Sequence, residues 1–294
     1  SEFYEARHFS PGWRKAVDVP VEDGAGNVVM VPFGTDILFA CRQMPGLVIG
    51  GEVCEDVWMP NAPSIRHGLA GATVIVNGSA SDETTGKDQY RLSLVSGQSA
   101  KLICVYLYAS AGEGESTTDL VFSGHNLIAE NGTMLSQSPR FGHETAYGDV
   151  DLERIRSERR RMTTFAVSPD PDYRRVPFDL TVEHLELERF IDPAPFVPDS
   201  KQDRDKRCEE ILALQFLGLK KRLEHTGCKT AVIGISGGLD STLALLVTVR
   251  AFDMLDIPRE HIWAVTMPCF GTTDRTYNNA CMLVKRLGAS LKEV

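Results

Sequence analysis

Short apolar runs separated by turn residues fill the first 165 positions of the chain. The runs are Val28–Val31, Ile37–Cys41, Leu47–Val53, Thr73–Val76, Leu102–Tyr108 and Ser123–Ile128. They have the length and β-branched content typical of buried strands. Helical patterns fall between them at Ser64–Leu69 and Gln89–Lys101, and Asn131-Gly132 predicts a hairpin turn. The alternation predicts a strand-rich α/β module.

A second pattern begins near residue 200. Apolar residues recur there at three- and four-residue spacing and predict a helix from about Asp199 to His225. Its predicted buried stripe is Cys208, Ile211, Leu212, Phe216, Leu219 and Leu223. Strands at Ala231–Ile235 and His261–Met267 then alternate with helices at Leu243–Phe252 and Thr276–Leu287. This order predicts a parallel sheet with right-handed crossovers and ligands at the carboxyl ends of its strands.

A proline-rich stretch separates the two patterns. Its prolines are Pro169, Pro171, Pro177, Pro193, Pro195 and Pro198. The composition predicts an interdomain connector that carries short strands. We therefore expect a first domain over residues 1–165, the connector over 166–200 and a second domain over 201–294. Because the chain starts without Met and stops at Val294 soon after a predicted helix, we expect a fragment truncated at both ends.

Composition and charge exclude several classes. The chain has 294 residues, 43% of them hydrophobic and 24% charged, which is typical of globular domains. A net charge of −9 argues against a general binder of nucleic acids or anionic membranes. The basic cluster, Arg154, Arg156, Arg159, Arg160 and Arg161, is interleaved with glutamates and predicts a solvated helix face.

Cysteine usage and the lack of targeting segments indicate a compartment. The seven cysteines lack short paired spacing, so neither a zinc site nor a disulfide framework is indicated. Cys41 and Cys104 lie in apolar runs and should be buried as small hydrophobes. Neither a signal peptide nor a long apolar span is present. We expect a cytoplasmic protein.

The most informative stretch is Thr230-Ala-Val-Ile-Gly-Ile-Ser-Gly-Gly-Leu-Asp-Ser-Thr242. A short apolar strand leads into a glycine turn and then a helix, where unpaired N–H groups and the helix dipole favour anions. Glycines at such a turn also occur for geometry alone. Asp240 would repel a phosphate unless a cation such as Mg²⁺ bridges them, and the lysine of the Walker A pattern is missing. We expect an anion site at this turn, with Asp240 as the metal ligand.

This string resembles the pyrophosphate-binding loop of the N-type ATP pyrophosphatases, which activate a carboxyl or carbonyl oxygen by adenylylation. The resemblance implies a Rossmann-like parallel-sheet domain that uses ATP and Mg²⁺. The implied ATP-binding residues are Gly234, Ile235, Ser236, Gly237, Gly238, Leu239, Asp240, Ser241 and Met267. Met267, at the end of a predicted strand, is almost as well explained as a core residue.

A candidate nucleophile lies in the first domain. Cys54 follows an apolar strand and precedes Glu55 and Asp56. A cysteine at a strand end attacks carbonyl groups when a base or cation favours its thiolate, yet neighbouring carboxylates disfavour that form. A buried structural cysteine is the alternative. His125 could suggest a Cys–His pair, although a structural loop histidine is favoured.

Further motifs resemble glutamine-dependent NAD⁺ synthetases. They are Glu2–Gly12, Cys54-Glu-Asp-Val-Trp58, Ala70–Ser81 with Gly86-Lys87, and the Met267–Thr276 run. The resemblance implies a partial nitrilase-type αββα glutaminase domain, with Cys54 as its nucleophile and with Ser81 and Lys87 contacting glutamine. The glutamate and lysine of the nitrilase triad would lie upstream of Ser1, so we expect this fragment to be inactive.

The implied reaction of the parent enzyme is ATP-dependent amidation of deamido-NAD⁺, with ammonia taken from glutamine. Glutamine, ATP and deamido-NAD⁺ are thus the expected small-molecule partners, and the family implies a homo-oligomer. Another N-type pyrophosphatase amidotransferase, such as a GMP synthetase, is one alternative. A non-catalytic nucleotide-binding fragment is the other.

Overall fold

The computed structural model describes residues 10, 12–115, 120–168, 170–183, 186–268 and 273–294. It divides the chain into two compact units, Ser1–Phe190 and Ile191–Val294. Two of the stretches with a family resemblance are affected by the gaps. Residues 2–9 and 11 of the opening stretch, and residues 269–272 of the loop after the second predicted strand of the second domain, lie outside the described residues.

The first unit is a mixed sheet with helices on both faces. Its strands are β1 (Val17–Glu22), β2 (Val28–Phe33), β3 (Ile37–Cys41), β4 (Val48–Val53), β5 (Val74–Ser79), β6 (Val105–Ser110), β7 (Leu127–Glu130), β8 (Thr133–Gln137) and β9 (Arg174–Phe178). Its helices are α1 (Pro63–Leu69), α2 (Lys87–Leu102) and α3 (Leu152–Arg161). Strands β1 and β2 pair as a separate hairpin, and the others form one sheet in the order β8-β7-β6-β5-β4-β3-β9.

The centre of this sheet explains why its strands read as apolar runs. Strands β4, β5 and β6 are parallel neighbours. Ile75 and Tyr106 point to one face, in a core with Val95 and Leu102 of α2. On the other face, Val74 and Val105 cluster with residues of α3. Strands covered on both faces need apolar side chains at successive positions, which explains the runs in β4, β5 and β6 and confirms the α/β class. Two runs differ from the prediction: Val28–Val31 forms β2 but is exposed, and the run at Ser123–Ile128 becomes strand only from Leu127.

The turn between β7 and β8 is the predicted hairpin. Asn131 and Gly132 both adopt positive φ, at 45° and 87°. Asn and Gly tolerate this left-handed region better than other residues, which is why this pair marks such turns.

The prediction of a solvated face for the basic cluster is wrong at Arg159. This side chain is buried, and its guanidinium donates to the carbonyl oxygens of Ile103, Ala72 and Leu102 at 2.7–2.9 Å. It also lies 4.7 Å from the centroid of the Phe165 ring. The spacing of charges along a helix does not show that one arginine meets the carbonyl groups at the end of α2 and just before β5.

Part of the proline-rich stretch belongs to the first sheet. Strand β9 lies within it and pairs in parallel with β3, with Pro177 opposite Ala40. It is an edge strand, where a missing N–H does least harm. The sequence predicts short strands here but does not show which sheet they join.

The second unit contains a parallel sheet of the predicted kind. Its elements are α4 (Lys201–Thr226), β10 (Ala231–Gly234), α5 (Leu239–Met254), β11 (Ile262–Thr266), α6 (Asp274–Leu287) and β12 (Ser290–Glu293). Strands β10, β11 and β12 are parallel and adjacent in that order. The sequence predicted two strands, and β12 is the third. It was missed because Ser-Leu-Lys-Glu lacks an apolar run.

The predicted stripe of α4 is buried only in part. Leu223 is buried, and Phe216 and Leu219 pack against the core of this unit. Ile211 and Leu212 remain 44% and 37% exposed. Periodicity shows that one face of a helix is apolar, but it does not show how much of that face packs against other elements. No helix within the described ranges is long and apolar enough to cross a bilayer.

Candidate functional site

Cys54 is the first residue after β4 and opens a 3₁₀ turn, Cys54–Trp58. Its φ is 48°, in the left-handed region that side chains rarely occupy. Such strained residues persist where the surroundings hold them, often at functional sites. Within the 3₁₀ turn, Asp56 accepts the N–H of Val53 at 2.8 Å and so braces the start of the turn, whereas Glu55 is exposed.

Asn77 of β5 holds the backbone of Cys54 in this conformation. Its side-chain oxygen accepts the Cys54 N–H at 2.9 Å, and its amide nitrogen donates to the Cys54 carbonyl at 3.3 Å. The same amide nitrogen donates to the Tyr106 hydroxyl at 3.0 Å. Asn77 is 1% exposed, so these bonds form without competition from water. The clamp supplies the contacts that offset the strain at Cys54.

A carboxylate lies behind this clamp. Glu52, two residues before Cys54, is buried and accepts the Tyr106 hydroxyl and, at 2.8 Å, the Ser64 N–H. Burial, the Glu52 charge and the hydrogen bond to Glu52 all raise the pKa of Tyr106. The phenol therefore keeps its proton at neutral pH and donates a hydrogen bond to Glu52. Two donors, a phenol and a backbone N–H, thus bind the side chain of Glu52.

The sulfur itself meets Ser79. The Ser79 hydroxyl lies 3.3 Å from Cys54 Sγ, and the Tyr108 hydroxyl donates to Ser79 at 2.6 Å. Burial raises the pKa of Tyr108, so this phenol also remains a donor at neutral pH. Cys104 shows the contrasting case: burial raises the pKa of its thiol to about 12, and it stays an inert core residue as predicted. Cys41, also buried, confirms the same prediction.

The two residues predicted to contact glutamine lie on the segment after β5. Ser81 is buried, two residues beyond the strand, and Lys87 is the first residue of α2. Lys87 pairs with Asp82 at 2.9 Å and lies 5.7 Å from the ring centroid of Trp58, the last residue of the turn that Cys54 opens. The fold thus brings Lys87 to the helical turn of Cys54, with its ammonium group held by a carboxylate.

The histidines have partners of their own. His125 Nδ1 lies 3.2 Å from the Arg91 guanidinium and Nε2 lies 3.2 Å from the Gln137 oxygen. Burial lowers the pKa of His125, so neutral imidazole accepts from Arg91. His67 is bound to Tyr173 and to the Gly51 carbonyl, and burial lowers its pKa as well. Both rings are occupied in structural contacts.

Sequence reasoning missed four side chains that surround Cys54: Asn77, Ser79, Tyr106 and Tyr108. Their signal is a polar atom at alternate positions of otherwise apolar strands, on β5 and on its neighbour β6. Two positions apart on a strand means one face of the sheet. Nothing in the local sequence indicates that this face lies under Cys54, because the contact depends on the pairing of β4 with β5.

The second predicted site is the turn between β10 and α5. Gly234 ends β10, and Ile235 is buried and donates its N–H to the Val265 carbonyl at 2.8 Å. Gly237 has φ 80°, and a Cβ there would lie 2.3 Å from the Thr276 carbonyl oxygen of α6. Glycine is therefore required for both the backbone angle and the close approach.

Helix α5 begins at Leu239, four residues earlier than predicted. Gly238 is its N-cap, and no side chain caps the helix. Ser241 lies in the first turn, where its hydroxyl is 3.3 Å from the Ser236 N–H and 3.2 Å from the Ser236 hydroxyl. The Ser236 hydroxyl in turn accepts the Gly238 N–H at 3.3 Å. These long serine contacts satisfy N–H groups that a phosphate oxygen could bind.

Asp240 and Met267 both belong to this edge of the sheet. Asp240 is exposed in the first turn of α5, and Met267 is 64% exposed just past β11. Because β10 and β11 are parallel neighbours, the residues after each strand share one edge. No three His, Cys, Asp or Glu side chains in the described part of the chain lie close enough to hold a metal ion. One carboxylate fits a Mg²⁺ that phosphates help to bind.

Comparisons with known proteins match both units. The family model for carbon-nitrogen hydrolase matches residues 4–160, and the model for NAD synthase matches residues 211–294. The glutamine-dependent NAD(+) synthetase of Mycobacterium leprae is 42% identical over 306 residues, which is 100% of this chain and 44% of that protein. The protein of the same description from Aquifex aeolicus is 24% identical over 84% of this chain and 41% of its own length.

A solved structure was also matched. The crystal structure of a glutamine-dependent NAD(+) synthetase from Cytophaga hutchinsonii covers 99% of this chain and 44% of its own, at 20% identity and a TM-score of 0.40. The chain spans less than half the length of the relatives named above. Since the first family model covers more than half of the chain, the protein belongs to the carbon-nitrogen hydrolase family, and its residues 211–294 match the NAD synthase model.

Proposed function

We propose that the complete protein amidates deamido-NAD⁺ to NAD⁺, with ATP as the activating substrate and glutamine as the source of ammonia. One observation carries the proposal. A carbon-nitrogen hydrolase match and an NAD synthase match occur on one chain, and each contains its predicted site at the carboxyl end of a parallel strand. A bare cysteine or a bare glycine turn would support neither reaction.

In the first reaction, Cys54 attacks the side-chain amide carbon of glutamine. Ammonia leaves, a thioester forms, and water then releases glutamate. Lys87 is suited to bind the α-carboxylate of glutamine once it leaves Asp82, and Ser81 lies on the same segment. The left-handed turn at Cys54 presents the sulfur beyond the strand end, while Asn77 keeps the backbone in place.

In the second reaction, the carboxylate of deamido-NAD⁺ attacks the α-phosphate of ATP, and pyrophosphate leaves. Gly234, Ile235, Ser236, Gly237, Gly238, Leu239, Asp240 and Ser241 form the proposed pyrophosphate loop, with Met267 beside the adenine. Backbone N–H groups at the start of α5 stabilise the departing charge. Asp240 would hold Mg²⁺, which neutralises phosphate charge when bound. Ammonia then displaces AMP to give the amide.

Two further parts of the proposal concern the cellular compartment and the oligomeric state. The six described cysteines are all free, which is compatible with a reducing cytoplasm. We also propose that copies of the protein self-associate. Multi-angle light scattering of the complete protein tests this, and a monomer at working concentration would contradict it.

The central test compares nitrogen donors. The complete protein is assayed for NAD⁺ formation from deamido-NAD⁺, ATP and Mg²⁺, with either glutamine or ammonium. Wild type should use both donors, and Cys54→Ala should use only ammonium. Cys208→Ala removes an exposed cysteine of α4 and should retain both activities.

Each failure has a different meaning. If wild type makes NAD⁺ from neither donor, the acceptor is wrong and another substrate of an ATP pyrophosphatase has to be considered. If Cys54→Ala still uses glutamine, the nucleophile is wrong.

A further inference from the structure

Ser79 lies between a phenol and the sulfur of Cys54. Its hydroxyl oxygen is 2.6 Å from the Tyr108 hydroxyl and 3.3 Å from Cys54 Sγ. The phenol donates to the serine oxygen and occupies one of its lone pairs. The serine proton is then free to point at the sulfur. The three groups form a hydrogen-bond chain that ends on Cys54 Sγ, the proposed reacting atom.

We infer that Ser79 is a catalytic residue of the Cys54 site, which stabilises the thiolate by donating a hydrogen bond to it, and that Tyr108 is a positioning residue that orients the Ser79 hydroxyl. This inference rests on Cys54 being the nucleophile of the proposed function. It assigns roles to two residues that have none in the sequence analysis, although Ser79 lies within the Ala70–Ser81 motif. No proton is transferred in this role.

Burial makes this arrangement effective. Ser79 is 8% exposed and Tyr108 is 2% exposed, so little water competes for the serine proton. Hydrogen bonds to an ionised atom are about twice as strong as those between neutral groups, and more so where the local dielectric is low. The thiol and the thiolate both accept from Ser79, but the thiolate gains more. The hydrogen-bond chain therefore favours the Cys54 thiolate, which is the nucleophilic form.

The charges around the sulfur do not supply this stabilisation directly. Glu52 on β4 is bound by Tyr106 and the Ser64 N–H, and Asp56 of the 3₁₀ turn is bound to the Val53 N–H. Charged residues on and before α2 have other surroundings: Glu55 is exposed, Lys87 pairs with Asp82, and Arg91, 6.0 Å from the Tyr108 ring centroid, pairs with Glu83. Arg140, after β8, lies 3.7 Å from Glu83 and 3.6 Å from Asp88. In the part of the chain that the structure describes, Ser79 is the side chain that donates to the sulfur.

The test measures the thiolate of Cys54 without any substrate. The complete protein is treated with iodoacetamide from pH 6 to pH 10, and alkylation of each cysteine-containing peptide is followed by mass spectrometry. Cys208 and Cys228 are exposed and act as internal controls within each sample. The variants are Ser79→Ala, Ser79→Thr and Tyr108→Phe, with Ser93→Ala on α2 as a control for loss of a serine hydroxyl.

We expect Ser79→Ala to slow Cys54 alkylation at pH 7 by about tenfold and to shift the pH midpoint of alkylation upward, as befits a lost hydrogen bond to a charged group. Tyr108→Phe should give a smaller slowing, about threefold, since the hydroxyl remains but is less well oriented. Ser79→Thr, which keeps the hydroxyl, should restore most of the rate. Ser93→Ala and the two control cysteines should not change.

The inference is overturned if Ser79→Ala alkylates Cys54 at the wild-type rate, or if Ser79→Thr is as slow as Ser79→Ala. If Ser79→Ala fails to fold, Tyr108→Phe provides the test. An unchanged pH midpoint of Cys54 alkylation in Tyr108→Phe then overturns the inference. The result is independent of NAD⁺ synthesis. A wild-type protein that hydrolyses no glutamine would refute the proposed function while leaving the alkylation profiles interpretable.

Discussion

The two candidate sites lie at the same kind of strand-to-helix junction, but different residue types occupy the position with positive φ. Each lies where a parallel strand passes into a helical turn, and each requires a positive φ. At the end of β4 the residue is Cys54, with φ 48°. After β10 it is Gly237, with φ 80° and a Cβ position already filled by the Thr276 carbonyl.

The difference follows from what each site has to present. A nucleophile is a side chain, so the strained position cannot be glycine, and neighbours such as Asn77 have to hold it. An anion site presents backbone N–H groups, so the side chain is best removed. A left-handed turn of this kind thus indicates a reactive side chain when a cysteine occupies it. It indicates anion binding by backbone N–H groups when a glycine does.

The largest effect should come from filling the glycine turn. Gly237→Ala puts a methyl group 2.3 Å from the Thr276 oxygen at a φ that alanine disfavours, so the turn and the start of α5 must move. A shift of about 1 Å at such a site can cost about a hundredfold in rate. We expect NAD⁺ formation in the complete protein to fall by that factor with glutamine and with ammonium alike.

A matched glycine controls for the added methyl group. Gly218 lies inside α4, with open space around its Cβ position. Gly218→Ala should leave the rate unchanged and stabilise the protein by about 0.5–1 kcal/mol in urea unfolding. A Gly237→Ala variant with wild-type activity would show that the turn tolerates a side chain, and the contrast with Cys54 would be lost.

Breaking the clamp should affect one site only. Asn77→Ala leaves the Cys54 N–H without its acceptor and the Tyr106 hydroxyl without the Asn77 amide as a donor, at a cost of about 2 kcal/mol in the free energy of unfolding. NAD⁺ formation from glutamine should fall, and formation from ammonium should persist. Asn27→Ala, at an exposed turn, is the control with neither effect. Equal loss with both donors would mean that Asn77 does not act through Cys54.

How much the sequence predicts differs between the two sites. The glycine turn is largely local: strand, turn and helix are contiguous, and the string Gly234–Ser241 predicts their arrangement apart from the start of α5 and the approach of Thr276 to Gly237. At the first site the motifs assign roles to Cys54, Ser81 and Lys87, and they contain Asn77 and Ser79 without assigning them a role. Asn77, Ser79 and Tyr108 reach the sulfur through the pairing of β4, β5 and β6, which depends on contacts between distant segments.

The same limit explains one error and one point that the sequence leaves open. Arg159 reads as one of five surface arginines, yet its side chain is buried and donates to carbonyl groups at the end of α2 and just before β5. Strand β9 reads as linker because its neighbour β3 lies more than 130 residues earlier in the chain. Periodicity and turn chemistry identify the elements. Which side chains meet is decided by register and packing, which are not local properties.

The smallest expected effect tests the strain itself. If Cys54 is held at a conformation that disfavours side chains, Cys54→Gly should be more stable than Cys54→Ala, by up to about 1 kcal/mol in urea unfolding. Cys208 offers the opposite sign, because it lies inside α4 with helical backbone, where glycine is about 1 kcal/mol less favourable than alanine. Opposite orders of Gly and Ala at the two cysteines would establish that β4 ends in a strained turn. The same order at both would mean that the Asn77 clamp merely accompanies an unstrained backbone.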